Sequence, residues 1–128
     1  MNTSIFIAED DSDDYSLLEE AFMEIAPDLR LHWSRDGEEL IASLRKLDKD
    51  ELPVKIILDY NMPRLNGLET LKLLNSSREY QEIPKIIYTS GQFDGYKSEA
   101  LAAGANGFFE KSTSFEEIRK DVERMLGV

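Results

Sequence analysis

Five short apolar runs, each followed by a longer stretch with helical spacing, restrict this chain to very few architectures. Residues 5–8, 29–34, 54–58, 86–89 and 108–109 read as strands, the second weaker than the others and the last very short. After the first come Leu17, Leu18, Ala21, Phe22 and Ile25 on one helical face, ended by Pro27. Leu40, Ile41, Leu44 and Leu47 mark a second helix, and Gly67 opens a third with Leu68, Leu71 and Leu74. A fourth covers residues 95–103, and Gly104 suits its C-terminal stop. Ser114 with Glu117 has capping-box spacing and opens the last helix, carrying Phe115, Ile118, Val122 and Leu126. Strand–helix alternation of this kind predicts an α/β domain with a parallel sheet covered on both faces. Near-continuous apolar strands are what two covered faces require.

The residues that close the strands carry the chemistry. The first strand ends in Glu9-Asp10, the third in Asp59, the fourth in Thr89-Ser90 and the fifth in Glu110-Lys111. In a parallel sheet these ends share one edge, where ligands of open α/β sheets bind. Carboxylates from segments far apart in sequence therefore converge there with a hydroxyl and an ammonium. Carboxylates crowded together repel, and a divalent cation relieves the repulsion. An oxygen-only ligand set suits Mg²⁺, with Mn²⁺ as the other candidate. Metal, ammonium and hydroxyl together could neutralise a phosphoryl group transferred to a carboxylate.

Taken singly, each of these residues has an ordinary explanation. Asp11, Ser12, Asp13 and Asp14 begin a helix, where short polar and acidic side chains cap free N–H groups and favour the dipole. Asp59 alone could be a turn residue before Pro63, Lys111 a solvated surface lysine, and Thr89 a common strand residue. His32 reads as structural or surface, and Trp33 as packing rather than recognition. Phe93 and Tyr96 fit either core or a partner surface. The joint placement at successive strand ends is what points to a site.

Composition narrows the partners. The 128 residues fit one domain, and 26 acidic against 15 basic side chains give a formal charge of -11. Such a surface repels phosphate backbones and anionic lipid, which argues against nucleic acid and membrane as direct partners. The absence of Cys removes thiol nucleophiles and zinc–thiolate sites. No apolar run approaches the length of a membrane span or signal segment, and a cytoplasmic location is the expectation.

The stretches IFIAEDD, ILDYNMPRLNG, IIYTSG and GANGFFEKS make the chain similar to the receiver domain of two-component response regulators, the CheY-like family, over essentially its whole length. The most specific is the run from Asp59 through Met62-Pro63 to Gly67. The resemblance implies a flavodoxin-like (βα)5 three-layer sandwich with a five-stranded parallel sheet of order 2-1-3-4-5. It implies that Asp59 is the phosphoacceptor and that Glu9 and Asp10 are the acidic pair. Mg²⁺ would be held by Glu9, Asp10, Asp59 and the backbone carbonyl of Asn61. Thr89 takes the place of the switch hydroxyl, Lys111 of the site lysine and Phe108 of the switch aromatic. The implied partners are a histidine kinase or phosphotransfer protein and a downstream protein, with the chain a monomer or weak homodimer. It would be no enzyme beyond promoting phosphorylation and dephosphorylation of its own Asp.

Two departures stand out. The acidic pair is Glu-Asp, and Ser112 follows Lys111 where the family usually has a cis proline, which a non-proline residue adopts only at a cost of about 2.5–4 kcal/mol. The long segment 46–53 resembles stand-alone regulators of the cyanobacterial phytochrome type. The length after the last helix agrees with a single receiver domain, residues 1–128, without an output domain. Two other classes compete. An aspartyl phosphatase of the haloacid dehalogenase type would carry a second Asp two residues after the nucleophile, where this chain has Asn61. A flavodoxin-like flavin binder would need a neutral phosphate loop where Glu9-Asp10-Asp11 stands.

Overall fold

The computed structural model describes residues 3–90 and 94–128. Strands β1 (Ser4–Ala8), β2 (Arg30–Ser34), β3 (Lys55–Leu58), β4 (Lys85–Thr89) and β5 (Gly107–Glu110) alternate with helices α1 (Ser12–Ile25), α2 (Gly37–Arg45), α3 (Gly67–Asn75), α4 (Asp94–Ala102) and α5 (Phe115–Leu126). All strand pairs are parallel and the order is β2-β1-β3-β4-β5, so the fold is the flavodoxin-like α/β sandwich. Phe93 lies outside the described residues.

The sheet separates two apolar clusters, as the period of two along a strand demands. On one face Phe6, Ala8, Ile56, Leu58 and Ile87 pack with Leu40, Leu44, Leu71 and Leu74 of α2 and α3. On the other, Ile5, Ile7, Ile57, Ile86 and Tyr88 pack with Leu18, Ala21 and Phe22 of α1 and Ile118, Val122 and Met125 of α5. Leu17 was expected on the buried stripe of α1 but is 38% exposed. The stripe is narrower than the apolar spacing suggests, because Tyr15 with Leu18 and Phe22 already fills the contact. Val54 likewise stands outside β3 and is exposed. The helix expected to reach Leu47 ends at Arg45. Leu47 instead packs against the core from the following connection, which holds a 3-10 turn at Lys49–Glu51.

Capping fixes where the helices start. Asp11 accepts from the N–H groups of Asp13 and Asp14, Asp36 from Glu39, Asn66 from Glu69 and Ser114 from Glu117. Asp36 is fully buried and paired with Arg64 of the β3–α3 loop. Arg64 adopts φ 64°, a left-handed conformation that costs a non-glycine residue energy. The ion pair to Asp36 and the bond from the Gly37 N–H to the Leu65 carbonyl hold the loop in that shape. The loop is thereby anchored close behind Asp59.

Candidate phosphoacceptor and metal site

Sheet register brings the acidic residues together. Ala8 of β1 pairs with Leu58 of β3, so Glu9 and Asp59 leave adjacent strands at the same level. The Asp59 N–H donates to the Ala8 carbonyl at 3.0 Å, and the Glu9 N–H to the Ser34 carbonyl at 2.9 Å. Carboxylate oxygens of Glu9, Asp10 and Asp59 lie within 4.8 Å of one another, Glu9 and Asp59 buried and Asp10 exposed. Three hard oxygen donors, one facing solvent, fit an Mg²⁺ or Mn²⁺ ion that keeps water ligands. Asn61 follows in the exposed start of the β3–α3 loop, its N–H 3.3 Å from an Asp59 oxygen.

Lys111 arrives from β5, its N–H donating to the Thr89 carbonyl at 2.8 Å. Its ammonium sits 2.6 Å from Glu9, 2.9 Å from Asp14 and 3.1 Å from Asp59, with the side chain 10% exposed. It is therefore a buried cation held by carboxylates, not a solvated lysine. Burial works against its charge, but the bonds it donates to Glu9 and Asp14 and the field of Asp59 outweigh it and raise its pKa above the ordinary lysine value. Glu9 is pushed the other way: burial, then Asp59 beside it, raise its carboxyl to about 8 against the pull of Lys111. A cation at the site would reverse that preference.

Thr89 is fully buried at the end of β4, and its hydroxyl has no hydrogen-bond partner among the described residues. A buried unpaired hydroxyl is costly, so Thr89 is a donor without an acceptor at the carboxyl end of β4. Phe108 pairs in register with Ile87 and is half-buried against the core cluster beneath α4. Tyr96 of that helix stacks on Tyr60, the residue after Asp59, at 4.1 Å. Tyr60 also donates to Glu99 at 3.1 Å.

Several supporting contacts escaped the sequence reading. Asp14, expected only to favour the helix start, binds Lys111 instead, while Asp11 does the capping. Trp33 does pack, stacked on Tyr15 at 4.5 Å, but its indole N–H also donates to the Glu9 carbonyl at 2.7 Å. His32 stacks on Phe6 on the exposed edge strand, away from the site. Beyond Lys111, Ser112 donates to the buried Asp121, which also accepts from Tyr88; both bonds are 2.7 Å. Peptide bonds of the described residues are all trans, so the Lys111–Ser112 link needs no cis proline and the Ser112 hydroxyl ties the loop down.

A five-stranded parallel sheet with an acidic cluster, a buried lysine and an unpaired threonine hydroxyl at its carboxyl edge defines a receiver-type signalling module. Residues 5–123 match the response regulator receiver domain family, and the chain belongs to it. The chain is 33% identical over 95 residues to the chemotaxis protein CheY1 of Helicobacter pylori, covering 72% of this chain and 74% of that protein. It is 28% identical to the probable methanogenesis regulatory protein FilR2 of Methanothrix harundinacea, covering 94% and 79%. Among solved structures, the phosphorylated cyanobacterial phytochrome response regulator RcpA superposes with a TM-score of 0.87 at 24% identity, covering 98% of this chain and 91% of that one. The Mn²⁺-bound form of response regulator Rcp1 gives 0.84 at 25% identity, covering 96% and 91%. The chain is thus part of two-component signalling, a signalling module rather than a typical catalyst, and among the described residues no helix is long and apolar enough to cross a membrane.

Proposed function

We propose that the chain is a stand-alone, cytoplasmic response regulator phosphorylated on Asp59 by a histidine kinase or phosphotransfer protein, and that phosphorylation switches a protein-binding surface. The observation that carries this reading is the convergence of Glu9, Asp10, Asp59 and Lys111 at the carboxyl edge of the sheet.

An Asp59 carboxylate oxygen attacks the phosphorus of a phosphohistidine or of acetyl phosphate. The new P–O bond forms as the P–N or P–O bond to the donor breaks, and the leaving imidazole or acetate departs with the electron pair. Glu9, Asp10, Asp59 and the Asn61 carbonyl would hold Mg²⁺, or Mn²⁺ in its place. The ion supplies positive charge where the transferred oxygens accumulate negative charge. Lys111 and the Thr89 hydroxyl offer two further donors to the same group. Catalysis here is positioning and charge neutralisation, without a general base.

Occupation by Mg²⁺ stabilises the native state alone, by roughly 1.4 kcal/mol at ten times Kd. The gain depends on pH. Glu9 is raised from its ordinary 4.5 to about 8 in the metal-free fold, so its protonated form favours folding. That contribution is complete below the unfolded value and disappears as pH rises through about 8. Metal binding needs the carboxylate. Melting temperatures with Mg²⁺ and with chelator should therefore diverge as pH rises from 5 to 8. A gap of the same size at both ends, or none, would count against the site.

Once Asp59 carries a phosphoryl group, drawing the Thr89 hydroxyl inward vacates room near β4 into which Phe108 can turn. Signalling requires such a differential contact between two states. The surface that changes is α4, β5 and α5, open to a downstream protein or a second copy in a weak dimer. Thr89→Ala should still accept phosphate yet lose the coupling. Beryllofluoride, which mimics the phosphoryl group, should shift backbone NMR signals around Phe108 and α5 in wild type and far less in Thr89→Ala. Equal shifts in both would exclude this route.

A further inference from the structure

The ammonium of Lys111 has three hydrogens, and the three carboxylates of Glu9, Asp14 and Asp59 surround it at 2.6, 2.9 and 3.1 Å. Two of these partners have other work. Glu9 and Asp59 belong to the cluster able to take a divalent cation, and an Asp59 oxygen becomes part of a mixed anhydride when it takes the phosphoryl group. Asp14 belongs to neither role. It lies outside that cluster, and the helix start it occupies is capped by Asp11, which accepts from both the Asp13 and the Asp14 N–H. Its carboxylate is 42% exposed, yet it reaches across from α1 to a lysine that is 10% exposed.

We propose that Asp14 is a positioning residue that holds Lys111 and competes with the phosphoryl group for it, limiting how strongly this receiver retains its phosphoryl group. The proposal rests on the reading of Asp59 as phosphoacceptor. A phosphoryl oxygen on Asp59 and the Asp14 carboxylate each take an N–H of Lys111, so the two anions share the charge of one ammonium. Asp14 also keeps a negative charge 2.9 Å from the ammonium, offsetting part of the attraction that Lys111 offers. When a cation draws Glu9 and Asp59 to itself, Asp14 remains as the anion that restrains the lysine. Partial exposure screens this competition without abolishing it.

The test is titration of the full chain with beryllofluoride at saturating Mg²⁺, followed by the amide NMR signals of Thr89 and Lys111. Asp14→Asn keeps the size and polarity of the side chain and removes its charge. It should bind beryllofluoride about fivefold more tightly than wild type and lengthen the lifetime of phosphorylated Asp59 by a similar factor. Asp14→Glu restores the charge and should return affinity to near the wild-type value, whereas a role confined to the helix dipole would alter urea unfolding and leave beryllofluoride affinity unmoved. Unchanged or weaker binding by Asp14→Asn, or equal tightening by Asp14→Glu, would overturn the competition while leaving Asp59 as acceptor. Failure of wild type itself to bind beryllofluoride would overturn both.

Discussion

Asp59→Asn should gain no phosphoryl group from acetyl phosphate and Mg²⁺ under conditions in which wild type gains one. An amide offers no carboxylate oxygen to attack phosphorus, and it removes one of the charges that hold a cation. The loss is chemical and not a consequence of unfolding. Lys111 keeps Glu9 and Asp14 as partners, and one of the crowded carboxylates becomes neutral. The metal-free variant should therefore melt no lower than wild type, by circular dichroism, while intact mass shows no added phosphoryl group. Labelling of the variant at the wild-type rate would remove Asp59 from its role.

Gly67→Ala should disturb both the fold and the site. A Cβ at Gly67 would stand 2.4 Å from the Asp59 carbonyl oxygen and 2.8 Å from the Tyr60 Cα, both backbone atoms that no rotamer change can move away. The Gly67 N–H also donates to the Tyr60 carbonyl at 2.9 Å, so helix α3 butts directly against the chain beside Asp59. Relief requires α3 or the β3 terminus to shift. Overpacking of this kind costs roughly 1–3 kcal/mol, and a displacement near 1 Å at the reacting group can cost on the order of 10²-fold in rate. Urea unfolding should report the first and phosphoryl uptake the second. A variant equal to wild type in both would show that the close approach has no consequence.

The parts of this molecule that could be read from its sequence are those set by local pattern. Ile56, Ile57 and Leu58 form a short apolar run that fits a strand covered on both faces, and Glu9, Asp59 and Lys111 close their strands in the chain itself. Parallel topology then forces them to one edge, so the cluster was legible before any coordinate. What escaped depends on contacts between distant segments. Asp14 reads as a helix-start acid, and only the return of β5 places Lys111, 97 residues later, against it. Asp36 drew no reading from the sequence, and its pairing with Arg64 comes from the β3–α3 loop, 28 residues on. Ser112 looks like the loss of a proline, while its bond to Asp121 depends on α5 packing beneath β4. Leu17 shows the converse error, since helical spacing counts apolar positions but does not measure the width of the groove that receives them.

The role of Asp59 is tested most directly by exposing the wild-type chain to acetyl phosphate with and without Mg²⁺, trapping the acyl phosphate by borohydride reduction, and locating the modified residue by peptide mass spectrometry. A single modification is expected, on Asp59, and it requires the divalent ion. Modification of a different residue, uptake that proceeds equally well in chelator, or no uptake at all would contradict it.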